Sequence, residues 1–212
     1  MLNTLHTEEL YTAEMAYHLR SFAKTRRYHV NEITAQTVTK ESSCRREVEA
    51  FIHAVFKVTY GANVTEFMPT LVALRDENGV LMAAFGMRSA ADEKLFLEQY
   101  LDMPIEKLLT EQLGKPITRN EITCIGNLAV SNPRNAGVLI AHIIQHSLEI
   151  GIEWCVATAH HSLQNGLIKG GRDVYPLHLA DKARLSPEEQ IEWGSYYDSM
   201  PQVVAIKGVT DY

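Results

Sequence analysis

The residues with the clearest chemical signature occupy positions 131–137, in the run Ser-Asn-Pro-Arg-Asn-Ala-Gly. Proline, glycine and asparagine favour a turn there, and Arg134 adds a positive charge. A short apolar strand, Ile122 to Val130, is predicted before this turn, and an amphipathic helix follows it up to Gly151. Because backbone N–H groups and the dipole at a helix N-terminus attract anions, a phosphate-binding loop is predicted. Its candidate cofactor-binding residues are Val130, Arg134, Asn135, Ala136, Gly137 and Val138.

A second group of candidates consists of polar side chains within or next to apolar segments. Asn127 interrupts the strand before the turn. A buried amide needs hydrogen-bond partners, so Asn127 either sits at a bulge that opens the sheet or makes a structural hydrogen bond. Cys124 has no neighbour that would lower the pKa of its thiol, which favours a packed thiol over a nucleophile. Arg88 could bind a carboxylate or phosphate, and Asp102 and Glu106 could accept a proton from an amine; simple surface positions are the alternative.

Two groups of histidines offer further chemistry. One group shares a helix face with a glutamate, but its first histidine is followed by Ile143 rather than by the Glu of zinc proteases. A solvated face is therefore favoured and no metal is predicted for this group, which comprises His142, His146 and Glu149. His160 and His161 end the next predicted strand, at the carboxyl edge of the sheet where ligands bind, so one of them could act as a base.

The elements that must position these residues alternate between strands and helices. Strands are predicted over residues 28–39, 70–75, 80–88, 122–130, 153–159, 174–179 and 203–209, and helices over 1–27, 41–60, 91–101, 105–113, 139–151, 162–169 and from 186 onwards. The pair Asn78-Gly79 indicates a hairpin that joins the second and third strands. This order predicts a mixed α/β sheet with helices on both faces, in which the hairpin and the strand 122–130 share one sheet.

Composition restricts the classes of function. The length of 212 residues predicts a single domain, with a helix and first strand over 1–40 and a C-terminal appendage over 180–212. The formal net charge of −6 argues against binding of nucleic acid or adsorption on anionic lipid. An odd number of widely spaced cysteines, three in all, and an N-terminus without a signal-peptide pattern predict a cytoplasmic protein with reduced thiols. The apolar runs are too short to span a bilayer, so no stable membrane insertion is expected.

The loop and the order of elements resemble the GNAT acyltransferase fold, a mixed and mostly antiparallel sheet with helices on both faces. In that fold an Arg-x-x-Gly-x-Gly/Ala loop after the fourth strand holds the pyrophosphate of an acyl-CoA or the phosphopantetheine of an acyl carrier protein. Arg134 and Gly137 match this pattern, whereas Leu139 stands where a second small residue is expected. A tyrosine general acid, usual in the helix after the fifth GNAT strand, is absent from residues 162–169.

A closer resemblance covers about residues 45–209 and rests on five segments in the correct order. They are FMPTLVALRDENGVLMAAFGMRSA, LFLEQYLDMPIE, IGNLAVSNPRNAG, LADKARL and WGSYYDSMPQVV. These segments resemble the bacterial thermostable hemolysin family, which looks GNAT-like and is similar to acyl-homoserine-lactone synthases. Those synthases place a Gly-x-x-Arg strand end and a Glu of the fourth strand at the active site. Gly86-Met87-Arg88 is similar to the first feature, and Cys124 stands where the family usually has Glu.

The resemblance implies an acyltransferase that moves an acyl group from a CoA or carrier-protein thioester directly to a small amine. Its catalytic candidates are Arg88, Asp102, Cys124 and Asn127. An acyl carrier protein and a homodimer are compatible partners. Two alternatives stay open. A membrane-active hemolysin-type protein would require a basic amphipathic helix or a long apolar hairpin, and the sequence has neither. A catalytically inactive acyl- or CoA-binding module is favoured by Cys124 and Leu139.

Overall fold

A seven-stranded sheet organises residues 33–208, the part of the chain that the computed structural model describes. The strands follow the order β1-β2-β3-β4-β5-β7-β6, and all neighbours are antiparallel except the parallel pair β4 and β5. Their bounds are β1 Thr34–Val38, β2 Thr70–Arg75, β3 Leu81–Ser89, β4 Ile122–Val130, β5 Trp154–Ala159, β6 Val174–Leu179 and β7 Gln202–Lys207. The predicted mixed and mostly antiparallel sheet is confirmed, with the hairpin and β4 in the same sheet.

Helices cover both faces of this sheet. Their bounds are α1 Arg45–Tyr60, α2 Ile105–Leu113, α3 Ala136–Glu149, α4 His161–Lys169 and α5 Pro187–Glu192. Helices α3 and α4 pack on one face, here called the α3 face, and α1 and α2 pack on the opposite face, here called the α1 face. Short 3-10 helices lie in the connections, at Phe96–Tyr100, Arg119–Glu121, Pro133–Asn135, Lys182–Arg184 and Tyr196–Ser199.

The period of the apolar residues explains which side chains reach the core. In α1, Val48, Ile52 and Phe56 recur every four residues and are buried along one stripe. The helix ends at Gly61, which has a φ of 69° and donates its N–H to the carbonyl of Lys57, as a left-handed cap does. In β3 the alternation of a strand sends Phe85 to the α3 face and the preceding Ala84 to the α1 face.

The β2–β3 hairpin forms as its turn residues predict. Gly79 has a φ of 78°, a conformation that costs a glycine little. The carboxylate of Asp76 accepts hydrogen bonds from the backbone N–H groups of Asn78 and Val80, at 3.0 and 2.9 Å. These bonds fix the turn, and the register of the two strands follows from it.

Two predictions about the elements are wrong in detail. The helix predicted over 91–101 is a five-residue 3-10 helix, because the carboxylate of Glu98 captures the backbone N–H groups of Leu95 and Ile105 and holds the segment in a tighter form. The predicted C-terminal appendage contributes β7, which pairs with both β5 and β6 and is therefore an integral part of the sheet. The helix predicted over 1–27 lies outside the described residues.

Candidate functional site

The centre of the sheet contains a seam where two neighbouring strands part. β4 and β5 pair only through Ile122–Cys124 and Trp154–Val156, the stretch here called the paired base. Beyond it, residues 125–130 of β4 and 157–159 of β5 have no ladder pairing with each other. This stretch is here called the open seam. Since β-strand backbone groups point sideways toward the next strand, those of β4 and β5 face the open seam rather than one another.

A β-bulge lies on the open seam. The β3–β4 register shifts between Ala84 and Gly86, so that Asn127 and Leu128 together oppose Phe85. Asn127 has a φ of 50°, which is uncommon for a residue with a side chain. Its side-chain oxygen accepts the N–H of Met68 at 2.9 Å. Asn127 therefore sits at a bulge and makes a structural hydrogen bond at the same time, and its catalytic role stays a prediction.

The loop after β4 leads directly into the N-terminus of α3. The side chain of Asn132 accepts the N–H of Arg134 at 2.9 Å and shapes the 3-10 turn of residues 133–135. Asn135 occupies the N-cap position of α3 without a side-chain hydrogen bond to the first turn. The N–H of Ala136 already donates to the carbonyl of Pro133, so an anion at this loop would use the remaining first-turn N–H groups and the positive end of the helix dipole. The side chain of Leu139 is buried in the core of the α3 face, so it does not stand in the way of a phosphate at this loop.

An apolar cavity of about 40 Å³ lies beside the open seam on the α3 face. Its walls come from both strands and both helices of this face and include Ile125, Leu128, Ala157, Ile140 and Leu163. Polar groups are confined to a few positions. The hydroxyl of Ser147 and the thiol of Cys155 lie 3.5 Å apart there, and Arg172 also borders the cavity. The lining favours an apolar group, because apolar pockets with few polar groups favour apolar ligands, but the volume is well below the roughly 300–1,000 Å³ of typical ligand pockets.

Cys124 lies at the paired base, opposite Arg88 of β3 in the strand register. The thiol is buried, and this burial raises its pKa to about 12 even though the neighbouring Arg88 guanidinium lowers it. Arg88 forms an ion pair with Glu93 at 2.8 Å. At neutral pH the Cys124 thiol is therefore protonated, as expected of a packed thiol and not of a nucleophile.

The two acidic candidates are held in ion pairs. Asp102 is mostly exposed, and its carboxylate binds Arg184 at 2.6 Å, which lowers its pKa. Glu106 binds the guanidinium of Arg119 at 2.9 Å. The same guanidinium binds the buried Glu98 through two nitrogens, at 2.9 and 3.1 Å. Both carboxylates are therefore occupied by ion pairs that the sequence did not reveal.

A group of polar and aromatic side chains that sequence reasoning did not bring together surrounds the C-terminal end of β5. His160 Nδ1 lies 2.5 Å from the hydroxyl of Ser199, and His160 Nε2 lies 3.5 Å from the hydroxyl of Tyr60. The ring of Tyr196 packs against the imidazole with centroids 4.8 Å apart, and its hydroxyl donates to the carbonyl of Thr158 at 3.3 Å. Burial lowers the pKa of His160 to about 4, so the ring is neutral at neutral pH.

The residue predicted as a candidate base is thus linked to partners far away in the sequence. Tyr60 and His160 are separated by 100 positions, and His160 and Ser199 by 39. A local sequence motif cannot predict contacts between residues so far apart in the chain. The nearest sequence signal was the pair of histidines at the end of a strand, of which His160 is half-buried and His161 exposed.

The residues 33–208 contain neither a bilayer-length apolar helix nor a cluster of three or more His, Cys, Asp or Glu side chains suited to a metal ion. A family model described as thermostable hemolysin matches residues 38–210 of the chain. The chain belongs to the thermostable hemolysin family. No curated protein sequence matches it.

Several solved structures are similar to this chain in fold, although their sequence identity to it is low. FeeM, an N-acyl amino acid synthase from uncultured soil microbes, has 12% identity and a TM-score of 0.56, with 84% of this chain and 91% of that chain covered. The acyl-homoserine-lactone synthase LasI has 12% identity and a TM-score of 0.52, with 82% and 88% covered. The CoA-dependent acyl-homoserine lactone synthase BjaI, solved with SAM and isopentyl-CoA, has 13% identity and a TM-score of 0.52, with 84% of each chain covered.

At these identities the likeness establishes a GNAT-like fold for this member of the thermostable hemolysin family. Asn127 and the loop of residues 131–137 lie close together in the chain, because only the last three residues of β4 separate them. Arg88 and Cys124 lie together at the other end of that strand, and Asp102 is tied to Arg184. The predicted site residues thus divide into a group at the open seam and a group around the paired base.

Proposed function

We propose that the protein is an acyltransferase that moves an acyl group from a thioester donor to a small amine. The observation that carries this proposal is the parting of β4 and β5 at the Asn127 bulge. A slender chain with amide and thioester groups can lie between the two strands and use backbone groups that would otherwise pair with each other. The similar structures, two acyl-homoserine-lactone synthases and an N-acyl amino acid synthase, support acyl transfer as the chemistry.

The donor would lie on the α3 face with its two ends at two different features. Its phosphate would bind the N-terminus of α3 and the side chain of Arg134. Its acyl chain would lie along the apolar side chains beside the open seam, next to Ile125 and Leu128. Both CoA and the phosphopantetheine of a carrier protein present this chemistry, a phosphate followed by a slender arm and a thioester. The experiment must therefore include both donors.

The reaction would be a direct transfer without a covalent enzyme intermediate. The amine nitrogen attacks the thioester carbonyl, and a backbone N–H at the β4 bulge stabilises the developing oxyanion. The C–S bond then breaks and the donor leaves as a thiolate. Cys124 takes no part, because burial keeps its thiol protonated.

The side chains at the end of β5 supply the two proton transfers. The neutral imidazole of His160 would accept the proton that the amine loses. Ser199 holds the other ring nitrogen, and it also donates to the carbonyl of Tyr196 at 3.5 Å, so a consistent chain runs from imidazole to backbone. The hydroxyl of Tyr196 would protonate the leaving thiolate, since burial raises its pKa and keeps it protonated.

The test measures thiol release and N-acylated product when purified protein receives acyl-CoA donors of increasing length, or the same acyl groups on a carrier protein, with simple amines. We expect turnover with at least one donor. His160→Asn should lower kcat by about 10²- to 10⁴-fold, the usual contribution of a general base. His161→Asn is the matched control, since this neighbour is exposed. Absence of turnover with every donor would contradict the proposal.

A catalytically inactive binding module is the second candidate, and one observation favours it. Cys124 stands where the family resemblance places Glu, and it offers no carboxylate to accept a proton. Isothermal calorimetry separates the two functions. Donor binding without thiol release would identify a binding module, whereas binding followed by release supports the enzyme.

A further inference from the structure

Two glycines face each other on neighbouring strands directly beside the open seam. Gly86 of β3 and Gly126 of β4 are partners in the strand register. A Cβ atom on Gly86 would lie 2.8 Å from the Cβ of Met68, and one on Gly126 would lie 2.6 Å from its Cε. Both distances are shorter than carbon atoms tolerate. The two glycines therefore form a notch in the sheet, and the side chain of Met68 fills it.

The backbone of Met68 is held on both sides. Its N–H donates to the side-chain oxygen of Asn127 at 2.9 Å, and its carbonyl accepts from the guanidinium of Arg45 at 2.7 Å. The same guanidinium, which belongs to the buried first residue of α1, donates to the carbonyl of Pro69 at 3.0 Å. Because the bulge residue itself holds Met68, the position of this side chain is fixed relative to the open seam.

Met68 lies on the α1 face of the sheet, the face from which an amine acceptor can approach when the donor occupies the α3 face. The anion-binding end of α3 and the apolar cavity both belong to the α3 face. Met68 packs instead on the α1 face. It lies between the buried residues under α1 and those under α2, as Trp193 and Tyr196 also do. An amine that approaches the thioester from the face opposite the acyl chain therefore meets Met68 next to Gly126.

We propose that Met68 is a specificity-determining residue that limits the size of the amine acceptor. The proposal rests on the function proposed above and adds the acceptor class, namely slender primary amines without a bulky group near the nitrogen. The Met68 side chain occupies the space that such a group would need. Shortening this side chain would expose the Gly86–Gly126 notch and admit larger amines.

The experiment compares amines of graded size, from ethylamine to 2-phenylethylamine and tryptamine, with one acyl donor. Met68→Ala should raise kcat/KM for the aromatic amines, relative to ethylamine, by roughly 10- to 200-fold, the range that methylene-sized differences in apolar pockets produce. Met68→Leu, which conserves side-chain volume, should keep the wild-type preference. Met68→Val removes less volume and should shift the preference in the same direction by less, so it decides the matter if Met68→Ala does not fold.

A second variant tests the notch itself. Adding Gly126→Ala to Met68→Ala places a methyl group into the freed space, and within 4 Å a Cβ at this position meets only atoms of Met68 among the described residues. The double variant should therefore lose a large part of the gained activity toward aromatic amines. An unchanged size preference in Met68→Ala and Met68→Val, with wild-type protein active toward ethylamine, would overturn this inference while leaving the acyltransferase proposal standing. Inactive wild-type protein would instead overturn the acyltransferase proposal and this inference with it.

Discussion

The two ends of the β4–β5 seam are built from the same strands and have opposite properties. Next to the paired base, in the 3-10 helix that precedes β4, Arg119 donates to the carboxylates of Glu98 and Glu106 and to the carbonyls of Ala90 and Glu93. Each polar group of that guanidinium has a partner. At the open seam the strands part and present backbone groups, a cavity and a neutral imidazole. The comparison shows how one end supplies rigidity while the other end keeps room for a ligand.

The largest expected effect comes from breaking the ion pairs of Arg119 next to the paired base. In Arg119→Ala, the buried Glu98 loses both of its contacts to the guanidinium. Removing one partner of a buried ion pair typically costs about 3–5 kcal/mol, so the free energy of unfolding should fall by this amount. Urea denaturation followed by circular dichroism measures it.

The matched control for this variant is an exposed ion pair. Arg184→Ala removes the partner of Asp102, whose side chain is 73% exposed. Such surface pairs contribute about 0–1 kcal/mol, so stability should hardly change. Equal losses in Arg119→Ala and Arg184→Ala would show that the Arg119 ion pairs next to the paired base stabilise the fold no more than a surface ion pair does.

The next effect concerns pH and the open seam. The pKa of His160 falls from its ordinary 6.5 to about 4 on folding, because burial disfavours the charged ring. Well above pH 6.5 the ring is neutral in both the folded and the unfolded chain, so it does not change the free energy of unfolding. As the pH falls toward 4, the unfolded chain binds the proton first, and the free energy of unfolding should decrease by up to about 3 kcal/mol.

Denaturation curves between pH 7 and pH 4 measure this dependence. His160→Asn should flatten the curve in that window relative to His161→Asn, because only the first substitution removes a buried imidazole. Parallel curves for both variants would mean that another group controls the acid sensitivity.

A smaller effect is expected at the loop before α3. Arg134→Ala should weaken binding of CoA by roughly ten- to a hundred-fold, since one charge-assisted hydrogen bond contributes about 1.5–3 kcal/mol. Thermal stability should stay close to that of the wild type. Arg46→Ala is the control, because it removes an exposed arginine of α1, on the opposite face. Equal CoA affinity in both variants, measured by calorimetry, would remove the phosphate-binding function from this loop.

No effect at all is expected at Cys124. A buried thiol with its pKa raised to about 12 is a poor nucleophile at neutral pH. The intact mass of the protein after incubation with an acyl-CoA should therefore show no adduct at this residue. A stable adduct that disappears in Cys124→Ser would establish a two-step reaction. The chemistry would then take place at the paired base and not at the open seam.

Local signals explain most of what the sequence predicted. The strand predicted over residues 80–88, the helix predicted over 41–60 and the Asn-Gly turn each depend on neighbours within a few positions, and the structure confirms all three. The turn between β4 and α3 is local in the same way. The order of the elements came from the same local patterns, and the resemblance to the GNAT fold added that the sheet is mostly antiparallel.

The features that the sequence did not predict depend on contacts between residues that are distant in the chain. The carboxylate of Glu98, which holds the 3-10 helix of residues 96–100, also binds Arg119, and this partner is 21 positions away. The partners of His160 come from α1 and from the segment before β7. Propensity and periodicity carry no information on such pairs, because they describe only the local chain. The same limit hid Met68, whose importance comes from two glycines on other strands.

The shortness of the paired base has a consequence for cooperativity. Among the described strands, three register pairs connect the unit β1–β4 with the unit β5–β7–β6. Local openings in proteins follow such weakly connected boundaries. A chain-like ligand lodged between β4 and β5 would hydrogen-bond to both units and act as an additional strand. Binding would then join two partly independent units into one that unfolds together, with the gain in stability set by ligand concentration relative to its Kd.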